Sequence, residues 1–350
     1  MTAQTFVQSP EAGSDSVSLS RTVASIAALS IGFRRSDGSP YKVVEDVDLD
    51  VHAGEILGLV GESGSGKSLT ARSLIRLLPT NSTVGGTVTF EGEPILTMND
   101  RALRKIRGGR AAMVFQDPMT SFNPVKTVGA QIAESLSLHS ALRGQALRDR
   151  VVELLRQVGI VTPETKAWDY PSSYSGGMRQ RAMIAMALAN SPELLIADEP
   201  TTALDATVQD QVLDLLRTMN QELGTSIVLI THNIAVVASL CDRVAVMYSG
   251  RIVEEGPVEK VLGDPQHPYT WLLLKSVPHL GDPRERLASI EGTPPDPADP
   301  PEGCRFHPRC PFAIDRCRTE EPALADDGQG GKFRCFIGMR SIDRSVRDNV

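Results

Sequence analysis

Apolar and polar positions along the chain change period from one stretch to the next. Residues 24–33 and 43–51 read as strands, and the second alternates strictly at its end, with Val47, Leu49 and Val51 set against Asp46, Asp48 and Asp50. A period of two marks a half-exposed strand of an antiparallel sheet. The RRSDGSPY stretch between the two runs is a turn, with Phe33 and Tyr41 at its ends. Four further runs are short and mainly apolar, as strands buried on both faces are: residues 56–60 (interrupted by Gly58), 111–116 (ending in Gln116), 194–197 and 226–230. TVTFEG, residues 87–92, is a further strand.

Helical periodicity fills the gaps. LTARSLIRLLP reads as a helix with apolar residues at Leu69, Leu74, Ile75 and Leu78, and a short helix is expected between an Asn99 N-cap and a Gly108 stop. Val151, Val152, Leu154, Leu155 and Val158 line another helix, and residues 118–190 as a whole have helical texture. A last amphipathic helix runs from about residue 207 to 223, with Gly224 as its stop. The pattern predicts an α/β core with an antiparallel β subdomain and a helical subdomain over residues 118–190. The domain reading is a disordered leader (1–20), a core domain (21–265) and a C-terminal extension (266–350).

Composition narrows this little. A length of 350 residues suits two domains, and 41% hydrophobic residues can bury a sizeable core. A net charge of −7 argues against a nucleic-acid binder that neutralises phosphates. The first residues lack the basic start and apolar centre of a signal peptide. No apolar run approaches the roughly 18 residues that span a bilayer. The expectation is a soluble intracellular protein whose membrane role, if any, comes through a partner.

The candidate chemistry begins at GESGSGKS, residues 61–68, which meets every fixed position of G-x-x-x-x-G-K-[ST] between a strand and a helix. Gly61, Ser63, Gly64, Ser65 and Gly66 let backbone N–H groups approach phosphate oxygens at a helix N-terminus. Lys67 supplies a cation for the outer phosphates, and the Ser68 hydroxyl suits Mg²⁺. A glycine-rich turn followed by chance by lysine is the bland alternative, and the flanking strand and helix speak against it. YSGGM offers a second anion cradle at Ser175, Gly176 and Gly177, weak alone because many helices start with Ser or Gly. Asp198 and Glu199 close the strand at 194–197, where one acid can orient a metal and the other polarise water, although acids before a proline are common turn residues. His232 ends the strand at 226–230, on the edge where open α/β sheets bind ligands.

In order and spacing these motifs resemble the ATP-binding subunits of ABC transporters. The resemblance implies that Lys67 and Ser68, with Leu69 beside them, hold phosphates and Mg²⁺, and that Gln116 senses the metal and the attacking water. It implies that Asp198 supports Mg²⁺, Glu199 is the general base, and His232 contacts the γ-phosphate. Phe33 aligns best with the aromatic that stacks on adenine, with Tyr41 the runner-up. Ser175, Gly176, Gly177 and Met178 form the signature that acts on the partner's ATP, and TALD, with Asp205, is the D-loop. Met178 replaces a common Gln, and Asn233 follows His232 where Asp is frequent.

Beyond residue 266 the chain is similar to the C-terminal segment of the dipeptide, oligopeptide and nickel importer ATPases. Pro294, Pro295, Pro297, Pro300 and Pro301 make a stiff connector. Cys304, Cys310, Cys317 and Cys335 follow at C-x5-C-x6-C-x17-C, which lacks the C-x2-C pairs usual in zinc modules. The resemblance implies a 4Fe–4S cluster on these four, with Zn²⁺ and a His307 ligand as the alternative and four free buried cysteines as the bland reading. It further implies a second ATPase subunit (identical or a paralogue), two transmembrane permease subunits and an extracytoplasmic substrate-binding protein, at the cytoplasmic face of the membrane. The expected function is ATP-driven peptide uptake; nickel, glutathione or another small solute is the nearer alternative. A soluble ATPase acting on DNA or ribosomes is the distant one. The single phosphate loop and the lack of a long coiled-coil insert weigh against that last reading.

Overall fold

The alternating strands pair as a hairpin. β1 (Thr22–Arg34) and β2 (Pro40–His52) run antiparallel, with Val47, Leu49 and Val51 buried and the intervening aspartates exposed. The computed structural model describes residues 21–202, 204–276 and 290–347. The expected leader and Ala203 of TALD lie outside them.

β3 (Ile56–Val60), buried at every position, leads into α1 (Lys67–Ser73). The apolar period predicts a longer α1. Arg76 instead takes a left-handed φ of 51°, and the Leu77 N–H returns to the Arg72 carbonyl at 2.9 Å. Such a residue ends a helix while leaving Leu74 and Ile75 buried. β4 (Thr83–Phe90) and β5 (Glu93–Pro94) complete a four-stranded antiparallel sheet ordered β2-β1-β4-β5. α2 (Asp100–Ile106) is capped by Asn99, whose side chain accepts from the Ala102 N–H at 2.9 Å, and Gly108 follows with φ 78°.

After β6 (Ala111–Val114) come only helices and turns until the next strand. They are α3 (Pro118–Ser121), α4 (Val128–His139), α5 (Gly144–Gln157), α6 (Pro163–Lys166) and α7 (Gly176–Leu188). β7 (Leu194–Asp198) then precedes α8 (Ala206–Leu223), which stops at Gly224 with φ 66°. β8 (Ser226–Ile230), α9 (Ile234–Leu240), β9 (Arg243–Tyr248), β10 (Arg251–Pro257), α10 (Val258–Gly263) and α11 (Pro268–Lys275) follow. In the second sheet β3 lies between β8 and β9, parallel to both, and β7 is parallel to β8 and β6. Every strand of that central group is an apolar run because both faces are covered.

The tail docks on this sheet rather than beside it. β11 (Ala325–Asp326) and β12 (Lys332–Phe333) extend it, β12 pairing antiparallel with β10. Phe306 is buried edge-on against Tyr248 and Tyr269, at centroid distances of 5.1 and 5.5 Å. Arg305 reaches the Ser249 carbonyl and Glu45. The four tail cysteines border one small pocket with Phe306, Phe312 and Phe336. Burial raises the Cys304 and Cys310 thiols to about 12, so the neutral form prevails there. Among the described residues, no group of three or more His, Cys, Asp or Glu side chains is placed to hold a metal ion. This corrects the expectation of a 4Fe–4S cluster on Cys304, Cys310, Cys317 and Cys335, and of Zn²⁺ in its place. Cys304 and Cys310 pack on the core beneath the extension, as small apolar side chains do, and Cys317 is buried.

Glu254 on β10 marks the join. It is buried and accepts backbone N–H bonds from Gln266 (2.6 Å) and His267 (2.9 Å). Burial nevertheless raises its carboxyl to about 7, with Asp264 adding to the rise. Burial holds the adjacent His267 down to about 3, so it stays neutral in this range. Burial raises the Cys335 thiol as well, with the Glu254 charge adding to the rise. The folded-state pKa of Glu254 lies above the ordinary 4.5, so its stabilising contribution is full below about 4.5 and is lost as pH rises through about 7. Thermal unfolding followed across that window should show falling stability, and Glu254→Gln should flatten the trend. An unchanged trend in the variant would show that another group is responsible.

Candidate functional site

Parallel strands bring distant stretches of sequence to one edge. The C-terminal ends of β3, β6, β7 and β8 open onto the same side of the sheet, and each delivers one of the motifs. The phosphate loop follows β3, Gln116 follows β6, Asp198 and Glu199 end β7, and His232 follows β8.

Close approach fixes the loop's glycines. A Cβ on Gly61, at φ 146°, would meet the Met247 carbonyl oxygen at 2.1 Å. Gly66 opens α1 at φ 100°, a region that side chains avoid. Ser63 and Gly64 are exposed, Ser65 and Gly66 are buried, and Leu69 is half-buried. Lys67 is buried, and its ammonium donates to the Gly61 and Glu62 carbonyls, both at 2.8 Å. Burial lowers its pKa, while Glu199, Asp198 and Glu62 pull in the other direction. Ser68 donates to Asp198 Oδ1 at 2.8 Å, and Arg72 Nη2 holds Oδ2 at 3.0 Å. Asp198 is therefore a buried carboxylate with both oxygens engaged.

Glu199 carries a left-handed φ of 47°. For a residue with a Cβ this costs about 1–3 kcal/mol, and the surroundings must hold it there. Its N–H is bonded to the Ile230 carbonyl at 2.9 Å. Oε2 accepts from Gln116 Nε2 (3.0 Å) and Thr202 Oγ1 (2.8 Å), and His232 Nδ1 lies 3.3 Å from Oε1. The residues read separately as a glutamine loop, a strand-end acid and a lone histidine thus meet on one carboxylate. His232 itself is largely exposed.

Phe33 and Tyr41 are register partners in the hairpin, half-buried, with ring centroids 6.1 Å apart. Phe33 also packs on the core between the sheets. Ser175 caps α7 by accepting from the Met178 N–H at 3.3 Å, and Ser175 and Gly176 are exposed. Among the described residues, no hydrogen bond joins this turn to Lys67, Ser68, Asp198 or Glu199. Asp205 caps α8 through the Val208 N–H at 3.0 Å, a role the sequence reading did not assign.

Three further contacts were not anticipated. Arg72 had a legible signal, since it stands one turn beyond Ser68 on the same helix face. Thr202, three residues after Glu199, had only proximity. Arg309 had none: it forms a two-point ion pair with Glu62 of the phosphate loop from 247 positions away.

Comparison with known proteins agrees in extent and kind. The family described as ABC transporter matches residues 44–202, and that described as Oligopeptide/dipeptide transporter, C-terminal region, matches residues 253–317. The dipeptide transport ATP-binding protein DppD of Haemophilus influenzae is 46% identical over 88% of this chain and 93% of its own length. The oligopeptide transport ATP-binding protein AppD of Bacillus subtilis is 45% identical over 87% and 93%. Among solved structures, a dimeric ATP-binding cassette in a post-hydrolysis state, bound to ADP and Pi, matches with a TM-score of 0.61 at 28% identity. That match covers 67% of this chain and 98% of the other.

Proposed function

The chain belongs to the ABC transporter family, and on that premise we propose that it is the ATP-hydrolysing subunit of a peptide importer, working at the cytoplasmic face of the membrane. The observation that carries this reading is the meeting of Lys67, Ser68, Gln116, Asp198, Glu199 and His232 at one sheet edge, in a chain whose tail matches the oligopeptide/dipeptide transporters. No helix among the described residues is long and apolar enough to cross a membrane. The partners we assign are a second cassette subunit (identical or paralogous), two permease subunits and an extracytoplasmic binding protein. Residues 21–265 serve as the cassette and residues 266–350 as its extension.

Lys67 exchanges its two carbonyl partners for the outer phosphates of ATP, and the N–H groups of the first turn of α1 take the remaining phosphate oxygens. Phe33, or Tyr41 opposite it, stacks on the base. Ser68 and Asp198 place two oxygen donors side by side, a donor set that would hold Mg²⁺, with Gln116, whose amide nitrogen bonds Glu199, as a further candidate ligand. When bound, Mg²⁺ neutralises phosphate charge. Arg72 holds Asp198 in its orientation through Oδ2. Glu199 takes the proton of the attacking water on a carboxylate oxygen, while Gln116, Thr202 and His232 hold that carboxylate in place. The Ser175–Met178 turn, open to solvent, serves the partner subunit's nucleotide.

Lys67→Ala should weaken ATP binding by roughly 10- to 100-fold, as loss of a charged hydrogen-bond donor does. Equilibrium binding of ATP to the purified full chain measures it, and unchanged affinity would remove Lys67 from the site. Peptide import is tested by reconstituting the chain with its permease subunits and binding protein. Peptide should raise ATP hydrolysis, and a response to another solute but not to peptides would overturn the substrate class.

A further inference from the structure

The phosphate loop contains one carboxylate, Glu62, immediately after Gly61. It lies close enough to Lys67 to influence that residue's ionisation. A bare carboxylate at this position opposes the binding of a triphosphate. The tail supplies the counter-charge. Arg309 Nη1 is 2.7 Å from Glu62 Oε2 and Nη2 is 3.1 Å from Oε1, and the Arg309 side chain is only 5% exposed. The same guanidinium donates to the Glu291 carbonyl at 3.0 Å and to the Ile290 carbonyl at 3.3 Å. One side chain therefore fixes both the loop's acid and the start of the proline connector.

Three more features tie the tail region to this place. The Glu62 N–H donates to the Tyr269 hydroxyl at 2.9 Å, so its backbone is held from α11 while its carboxylate is held from farther along the extension. Pro294, Pro295 and Asp296 of the connector border a cleft of about 240 Å³ whose other wall is residues 62–65. Arg35, in the turn between Phe33 and Tyr41, reaches the Ala298 carbonyl farther along the connector.

We propose that Arg309 is a positioning residue for nucleotide binding: it neutralises Glu62 and holds it against the tail, so that the phosphate loop presents a net cation to the triphosphate. The extension is on this account part of the nucleotide site and not only an appendage of the cassette. The inference rests on residues 61–68 being the triphosphate site. It differs from a packing role in its sign, because removing the acid should cure the loss of the base.

The test is equilibrium binding of ATP to the full chain and to Arg309→Gln, Glu62→Gln and the double variant, with thermal melting to confirm folding. Arg309→Gln should weaken ATP binding roughly tenfold, by leaving an unpaired carboxylate beside the phosphates. The double variant should return to within about threefold of the wild type. Glu62→Gln alone should tighten binding by about two- to threefold, since Arg309 then faces the phosphates unopposed. Wild-type affinity in Arg309→Gln overturns the proposal, as does a double variant no better than Arg309→Gln. Should Arg309→Gln fail to fold, Glu62→Gln decides alone, and binding no tighter than wild type overturns the proposal. If the wild-type chain binds no ATP at all, the reading of the loop itself falls, an outcome distinct from these.

Discussion

Glu199→Gln should slow ATP hydrolysis by roughly 10²–10⁴ while leaving ATP binding intact. The substitution keeps the shape and one acceptor oxygen, so the contacts from Gln116 and Thr202 to Oε2 can persist through the amide carbonyl. It removes only the ability to take a proton. The left-handed backbone at residue 199 is fixed by the Ile230 carbonyl and does not depend on the carboxylate, so the variant should fold as the wild type does. Single-turnover hydrolysis, measured with ATP binding on the same sample, separates the two effects. Hydrolysis at the wild-type rate would take the role of base away from Glu199. Equal losses of binding and rate would show that the carboxylate serves the nucleotide and not the water.

The parts of this site legible in the sequence are those carried by local chemistry. Gly61 is needed because the Met247 carbonyl approaches too closely for a side chain, and Gly66 because its φ of 100° is one that side chains avoid, and such requirements leave glycines at fixed spacing. The strand preceding each motif is apolar throughout because it is buried on both faces, so strand and motif announce each other. Tertiary closure is harder to read. The sequence placed Gln116, Glu199 and His232 at three strand ends, but only the parallel register of β6, β7 and β8 puts all three on one carboxylate. Arg309 and Glu62 share no periodicity and no neighbourhood, so nothing short of the fold pairs them. The cysteines misled for a chemical reason. Thiols serve equally as ligands and as small apolar fillers, and spacing alone does not distinguish Cys304 packed beneath the extension from Cys304 on a metal.

Gly176→Asp should abolish hydrolysis, by roughly 10²–10³, without weakening the chain's own ATP binding or its stability. Ser175 caps α7 and, with Gly176, faces solvent, and no hydrogen bond among the described residues joins this turn to the Lys67 loop. On the reading proposed above, an anion cradle so placed completes a site on another subunit. No atom lies within 4 Å of a Cβ built on Gly176, so the new side chain fits, and an acid in the first turn of a helix is mildly stabilising. Its charge would, however, stand where the partner's phosphates must come. The next position is unsuitable for this test, because a Cβ on Gly177 would meet Val208 Cγ1 at 2.6 Å and disturb the packing of α8. The same proposal predicts that wild-type hydrolysis per chain rises with protein concentration, or with added second cassette subunit, while ATP binding per chain stays constant. Activity per chain that is flat in both titrations would mean that one subunit contains a whole site. Gly176→Asp should then be nearly silent, which makes the two experiments independent checks on one claim: Lys67 and Glu199 form half of a reaction centre, and Ser175 forms the other half of a neighbour's.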